Sequence, residues 1–340
     1  MFKSFAFAAL ASLVVCSSAA FAAGKADILG IVTGPKTGTY FAFGKDISEV
    51  SAKAGVNVEA KTSEGSIDNI KRINSAENAA VGIVQSDVLG FLARSKSPDS
   101  IKMASNLRMI FPFYNEEVHI LARKEIKNFS DLEGKKVAIG EEGSGNMLTS
   151  INLFSMMNVN PAEMKKISPA QGVVSVLRGE LDAVVSVAGK PVRLFKNLED
   201  LTLPENQKYA PMLDQVHFLS LDNPKMLEEY KPAEIAKTDY NFVKQAVPTI
   251  AVQAVLVSYD FAGTGSKRRC DMLAGMAKAV RDHIEELKKT GHPKWKEVDL
   301  DGKTAYWKKD SCVWPDAAGQ AAEDSKGLEH DLITIIEGAN

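Results

Sequence analysis

From residue 26 to residue 94 the chain alternates short apolar runs with stretches whose apolar residues recur at helical spacing. The runs are residues 28–32, 56–62 and 79–84, and each passes through a turn of small or hydrogen-bonding residues into a helix ending near Ala54, Ser75 or Arg94. This alternation predicts a parallel sheet with right-handed crossover helices, in which a ligand sits beyond the carboxyl ends of the strands. Two further runs, 107–113 and 118–123, flank the polar Tyr114-Asn115-Glu116-Glu117, and the second is expected to leave the first lobe. Residues 130–136 predict a short capped helical turn with a glycine stop, feeding a strand at 137–140. A helix to Met157, a strand near Ile167, a helix over 170–178 and a strand over 182–187 repeat the pattern as a second doubly wound unit. Residues 206–240, broken by Pro211, Pro224 and Pro232, read as connecting structure. The β-branched run 249–258 carries the chain back to the first lobe, so two crossing strands, near Val118 and Ala251, make a two-strand hinge. Residues 266–289 form one amphipathic helix with Leu273, Met276, Ala277, Val280, Ile284 and Leu287 on its apolar face.

Two of the strand-to-helix turns are rich in glycine. Residues 33–40 read Thr-Gly-Pro-Lys-Thr-Gly-Thr-Tyr, and residues 137–146 read Val-Ala-Ile-Gly-Glu-Glu-Gly-Ser-Gly-Asn. A helix entered this way leaves its first N–H groups unpaired and aimed outward, an anion site that needs no cationic side chain. The expected architecture is therefore α/β with two lobes, each offering a helix N-terminus to one ligand. Neither turn carries the dinucleotide fingerprint or the phosphate-loop pattern, which argues against a nucleotide. Gly143-Ser144-Gly145 lacks the five-residue nucleophile elbow. A general base would have to come from Asp87, Glu141, Glu142 or Lys190, and no enzymatic activity is expected. The five histidines, His119, His217, His283, His292 and His330, show no metal-ligand spacing, so neither a metal nor another cofactor is expected.

The termini and the charge place these lobes. Lys3, an apolar run over residues 5–15 and Ala20-Phe21-Ala22 predict a secretory signal peptide, residues 1–22, cleaved after Ala22. Cys16 suggests a lipoprotein, but Val15 is not the small residue expected before a lipidated cysteine. The mature chain is expected to be soluble, periplasmic and monomeric. Cleavage removes Lys3 alone among the charged residues, taking the formal charge from −2 to −3, with no basic field for nucleic acid. Cys270 and Cys312 would then lie in an oxidising space, either bridged or as two unrelated buried thiols. Trp295, Trp307 and Trp314 all lie in the tail around Cys312, which either packs on the last helix or forms a docking surface for a membrane partner.

Gly38-Thr39-Tyr40-Phe41 with Gly44, Ser63-Glu64-Gly65-Ser66-Ile67-Asp68-Asn69, and Gly82-Ile83-Val84-Gln85-Ser86-Asp87-Val88 resemble the TAXI family of TRAP-transporter solute-binding proteins. Val118-His119-Ile120-Leu121-Ala122-Arg123, residues 131–146 and Pro248-Thr249-Ile250-Ala251-Val252 continue the similarity in the same order, over residues 26–260. The resemblance implies a periplasmic receptor of the two-lobed, type II binding-protein fold that hands a small organic anion, glutamate- or 2-oxoglutarate-like, to a membrane permease. Lobe I would comprise residues 23–116 and 255–340, and lobe II residues 117–254. Carried onto this chain, the family pattern assigns one ligand carboxylate to the N–H groups of Thr39 and Tyr40 and the hydroxyls of Ser63 and Ser66. Gln85, Ser86 and Asp87 would discriminate the rest of the ligand. Ser144, Gly145 and Asn146 would donate from the second lobe, and Gly189 and Lys190 would close the cleft. Plain helix capping is the alternative for the Ser and Asp positions, and Tyr40 either stacks on the ligand or packs. Lys190 stands before Pro191 where the family often has a second glycine; it either meets a ligand carboxylate or points into solvent. Pro35 and Lys36 also depart from the pattern. Docking on a sensor kinase, or service to an ABC-type importer, are the alternative roles.

Overall fold

The computed structural model describes residues 28–316, except Thr37, residues 76–78, Thr264 and Ala305. The expected signal peptide lies outside the described residues. Three strand-helix units open the chain: β1 (Leu29–Val32) and α1 (Thr39–Lys53), β2 (Val58–Lys61) and α2 (Ser66–Asn74), β3 (Val81–Gln85) and α3 (Val88–Arg94). The β1 and β3 strands are buried along their whole length, which is why they read as continuous apolar runs rather than alternating ones. A helix that the apolar pattern did not suggest, α4 (Pro98–Asn106), buries only Ala104 and starts with proline at its first position.

The next strand, β4, runs unbroken from Leu107 to Arg123. The expected division at Tyr114–Glu117 does not occur. There the backbone stays extended because it finds hydrogen-bonding partners on both sides: Glu116 and Glu117 pair with Val252 and Ala251, while Glu117 also pairs with Ala188. The polar interruption marks buried polar side chains within the strand, not the strand's end.

The second lobe carries β5 (Lys136–Ala138), α5 (Gly145–Met157), β6 (Glu163–Lys165), α6 (Pro169–Leu177) and β7 (Ala183–Ala188). Its strand near Ile167 lies slightly earlier than expected, and all three β6 residues are exposed. The short helix α7 (Arg193–Lys196) follows β7, and the proline-broken region holds the short helices α8 (Ala210–Leu213) and α9 (Pro224–Leu227), with β8 (Val216–Phe218) pairing β4 and β9 (Lys231–Ile235) pairing β10 (Val247–Tyr259). The long helix expected over 266–289 breaks at His283 into α10 (Lys267–Asp282) and α11 (Ile284–Thr290), with ψ of 15° at His283 and its Nδ1 2.9 Å from the Ala279 carbonyl oxygen.

One mixed sheet runs β2-β1-β3-β10-β4-β7-β5-β6. Read inward from either end, a parallel set meets an antiparallel long strand: β2-β1-β3 against β10, and β6-β5-β7 against β4. These long strands, antiparallel to each other, are the two-strand link between the lobes. The first lobe packs Phe43, Ile47, Leu273, Met276 and Val280 against Ile31, Ile83, Phe111 and Leu256, while Phe195, Phe218 and Tyr240 anchor a core in the second. Burying each such side chain contributes about 1.5–3 kcal/mol. A third cluster joins Val84 and Ile70 to Leu148 and Val187, so apolar contact is continuous from one lobe to the other.

Candidate functional site

A cleft of about 680 Å³ lies between the lobes, where the two glycine-rich turns face each other. Thr39 and Tyr40 at the start of α1, and Gly145 and Asn146 at the start of α5, line it from opposite sides. Among the described residues no group accepts from the backbone N–H of any of these four. Each helix also contributes its positive dipole end. Asn146 accepts from the Val187 N–H through Oδ1 at 2.6 Å; that donor fixes the amide orientation and leaves the NH2 available on the other side.

The cleft floor is polar and buried. Glu116, 6% exposed, accepts from the Tyr40 hydroxyl at 2.8 Å and lies beside the Gln85 amide. Burial, reinforced by the charges of Glu117 and Asp87, pushes its carboxyl up to about 7, against the two hydrogen bonds that lower it. Burial and the Glu116 charge also hold the Tyr40 hydroxyl well above its ordinary value. Tyr114 lines the floor with a buried hydroxyl that lies beside Thr39 and Glu116 and has no partner in strict hydrogen-bonding geometry among the described residues. Gln85 is held by Thr149 at 3.3 Å and packs on Gly145: a Cβ at position 145 would come 2.4 Å from Gln85 Oε1. A side chain at position 145 would displace the Gln85 amide.

Of the residues assigned from the family pattern, the structure brings Thr39, Tyr40, Ser66, Gln85, Ser144, Gly145, Asn146, Gly189 and Lys190 to one cleft. Ser63, Ser86 and Asp87 do not line it. Ser63 accepts from the Gly65 N–H as a local turn contact. Ser86 Oγ accepts from the Gln253 N–H, and its carbonyl accepts from the Trp307 indole. Asp87 is buried behind the cleft, where Asn152 and Tyr230 of the second lobe donate to it at 3.3 and 3.0 Å; burial pushes its carboxyl up to about 6. Arg94 beside it bonds Asn152 and pairs with Glu229, so this cluster ties the lobes together. The Ser63–Ser66 turn is also spoken for: the first N–H groups of α2, those of Ile67 and Asp68, donate to the Gly143 carbonyl of the other lobe. Ser144 acts as the helix cap that the alternative reading described, accepting from Met147 N–H.

Lys190 takes neither of its two expected places. Its ammonium pairs with Asp239 at 2.9 Å and donates to the Glu234 carbonyl at 2.6 Å, while its backbone N–H donates to Glu117. Arg193, three residues on, is an exposed cleft residue with no ion pair among the described residues. The other unforeseen wall is the tail. His292, Pro293, Lys294 and Glu297 line the cleft, and the Lys294 side chain passes so close to Gly189 that a Cβ there would meet its Cε at 2.4 Å. The tail is held by Trp295, which stacks on Phe43 at 4.2 Å and donates to Asp46, by Trp307 and Trp314, whose indoles donate to carbonyls of Ser86 and Ile110, and by the Cys270–Cys312 bridge. His119 is a core histidine, bonded to Tyr240 and to the Glu117 carbonyl, and burial lowers it to about 4. No cluster of metal-ligand type, and no helix long and apolar enough to cross a membrane, occurs among the described residues.

A cleft between two α/β lobes, lined by helix N-termini and closed at the back by a two-strand link, is the architecture of a type II periplasmic binding protein. The chain belongs to the NMT1-like family, whose profile matches residues 31–304. Solved structures similar to it include the periplasmic binding protein BugD, 11% identical, covering 89% of this chain and 97% of that one with a TM-score of 0.46. The arginine-, lysine-, histidine-binding protein ArtJ from Geobacillus stearothermophilus is 15% identical, covering 82% and 96%, with a TM-score of 0.44. The GluR0 ligand-binding core from Nostoc punctiforme, solved in complex with L-glutamate, is 15% identical, covering 79% and 95%, with a TM-score of 0.43.

Proposed function

We propose that this protein is an exported receptor that captures a small carboxylate-bearing solute between its lobes and delivers it to a TRAP-type membrane permease, without chemical turnover. The observation that carries the reading is the pair of facing helix N-termini, Thr39–Tyr40 and Gly145–Asn146, whose N–H groups have no acceptor among the described residues and line one cleft. Backbone donors of this kind hold a carboxylate with little reorganisation, because the helices fix them in place. The lobes divide at residues 116/117 and 254/255, beside the places where β4 and β10 change partners. The TAXI resemblance of the opening motifs supports the TRAP permease over an ABC importer or a sensor kinase. The mature chain starts after Ala22, is periplasmic, and works as a monomer.

Mass spectrometry of the solute copurifying with the protein, followed by titration of the emptied protein against amino acids, oxo acids and dicarboxylates, tests the reading. One ligand of that class with micromolar or tighter affinity is the expected result. Failure of every carboxylate to bind, with none found in the purified protein, would sink it.

A further inference from the structure

We propose that Asp87 is a proton-operated latch between the lobes: carrying a proton it lets them close over it, and ionised it favours their parting. The latch lies behind the cleft and acts whatever solute the cleft takes. Asp87 stands just before α3 of the first lobe, and the groups that enclose it come mainly from the second. Asn152 on α5 donates to its Oδ2 at 3.3 Å and to its carbonyl oxygen at 3.0 Å, and the Tyr230 hydroxyl, beyond α9, donates to Oδ2 at 3.0 Å. The other oxygen, Oδ1, is buried with no partner in hydrogen-bonding geometry among the described residues. An ionised carboxylate accepts at both oxygens, so closing the lobes over this one leaves an acceptor unmet, at a cost that protonation removes.

The charged neighbours do not relieve that cost. Arg94 on α3 is committed to Glu229 and to Asn152 Oδ1, the latter at 3.0 Å, and Lys231 donates to Gln253 at 3.2 Å. Glu229, beyond α9, and Glu116, from β4, add negative charge near the acid. Tyr230 stays protonated, its hydroxyl held well above its ordinary value by burial and the Asp87 charge. Thr149 on α5, beside Asp87, donates to Gln85 Oε1 at 3.3 Å, which leaves its own oxygen able to accept the acid's proton and joins the latch to a side chain of the cleft floor. Burial is the first cause of the rise of the Asp87 carboxyl from 3.8 to about 6. Parting the lobes withdraws Asn152 and Tyr230, lets water reach Asp87 and returns its carboxyl toward the ordinary value. The closed state therefore binds more protons than the open one, and closure strengthens as pH falls. A rise of that size changes the closing equilibrium about tenfold between pH 5 and pH 7.

The test is double electron–electron resonance on the protein emptied of solute, from pH 5 to pH 7, with spin labels at Lys45→Cys on α1 and Val174→Cys on α6, two exposed positions, one on each lobe. The odds of the closed over the open separation are expected to fall about tenfold over that interval, with a midpoint at about pH 6. Asp87→Asn, which keeps an acceptor for Asn152 and Tyr230 but cannot ionise, is expected to abolish the change. Tyr230→Phe, which removes one donor to the ionised oxygen, is expected to move the midpoint upward. Separations independent of pH, or a pH dependence that Asp87→Asn leaves intact, overturn the proposal. Should Asp87→Asn fail to fold, the midpoint in Tyr230→Phe decides: an upward move supports the latch and an unmoved midpoint overturns it. None of these outcomes bears on the class of solute, which the titrations above decide separately.

Discussion

Replacing Glu116 with glutamine should stabilise the ligand-free protein at alkaline pH and flatten part of its pH dependence. The carboxyl rises from 4.5 to about 7 on folding, chiefly through burial. An acid whose folded value is raised binds more protons folded than unfolded, so its contribution is most favourable below 4.5 and is lost as pH rises through about 7. At about 1.4 kcal/mol per unit, the full loss is about 3.5 kcal/mol, of which about 1.4 kcal/mol falls between pH 6 and pH 8. Asp87, Glu117 and Asp310, all raised, and His292, lowered, titrate in the same protein. They remain in the variant, so the difference between the two proteins isolates Glu116, apart from its repulsion with Glu117 and Asp87. The assay is urea unfolding of both proteins, emptied of ligand, at pH 6 and pH 8. The unaltered protein should lose about 1.4 kcal/mol more than Glu116→Gln over that interval. Coincident pH slopes would refute the claim that Glu116 is buried as an uncompensated acid. The cost is one that a bound counter-charge would offset, which is how a binding site trades stability for affinity.

Opening the Cys270–Cys312 bridge, which closes a 42-residue separation, should lower the unfolding free energy by about 4 kcal/mol in the chain-entropy account; a double serine variant compared with the oxidised protein by denaturant unfolding checks this, and equal stability would deny the bridge any role. Gly145→Ala should push Gln85 from its place and weaken ligand binding about tenfold, or about 1.4 kcal/mol, measured by titration against the unaltered protein. Lys190→Ala should cost about 1–3 kcal/mol of stability by stranding Asp239, with little effect on affinity. Arg193→Ala should do the reverse, reducing affinity for an anionic ligand by an amount that shrinks as salt is added; a loss of affinity in Lys190→Ala but not in Arg193→Ala would invert the assignment.

Local chemistry was enough to determine the architecture from sequence. Apolar runs such as 28–32 and 79–84 become fully buried strands, and the glycine turns at 34–38 and 140–145 become the starts of α1 and α5, because strand burial and helix entry depend on residues within one turn of each other. The same locality made Thr39, Tyr40, Gly145 and Asn146 legible as cleft residues. It misled wherever a partner came from far away in the chain. Residues 114–117 look like a break in the apolar pattern and are the centre of a continuous strand, since β10 and β7 supply its hydrogen bonds. Asp87 looks like a ligand contact and is instead tied to Asn152 and Tyr230. Lys190 is taken by Asp239, 49 residues on, and the tail at 292–297 joins the cleft through Trp295 stacked on Phe43. Most consequentially, nothing near Glu116 in sequence announces that it is buried without a cation. Burial and counter-charge belong to the assembled cleft, because they depend on which distant side chains arrive and which of them are already paired.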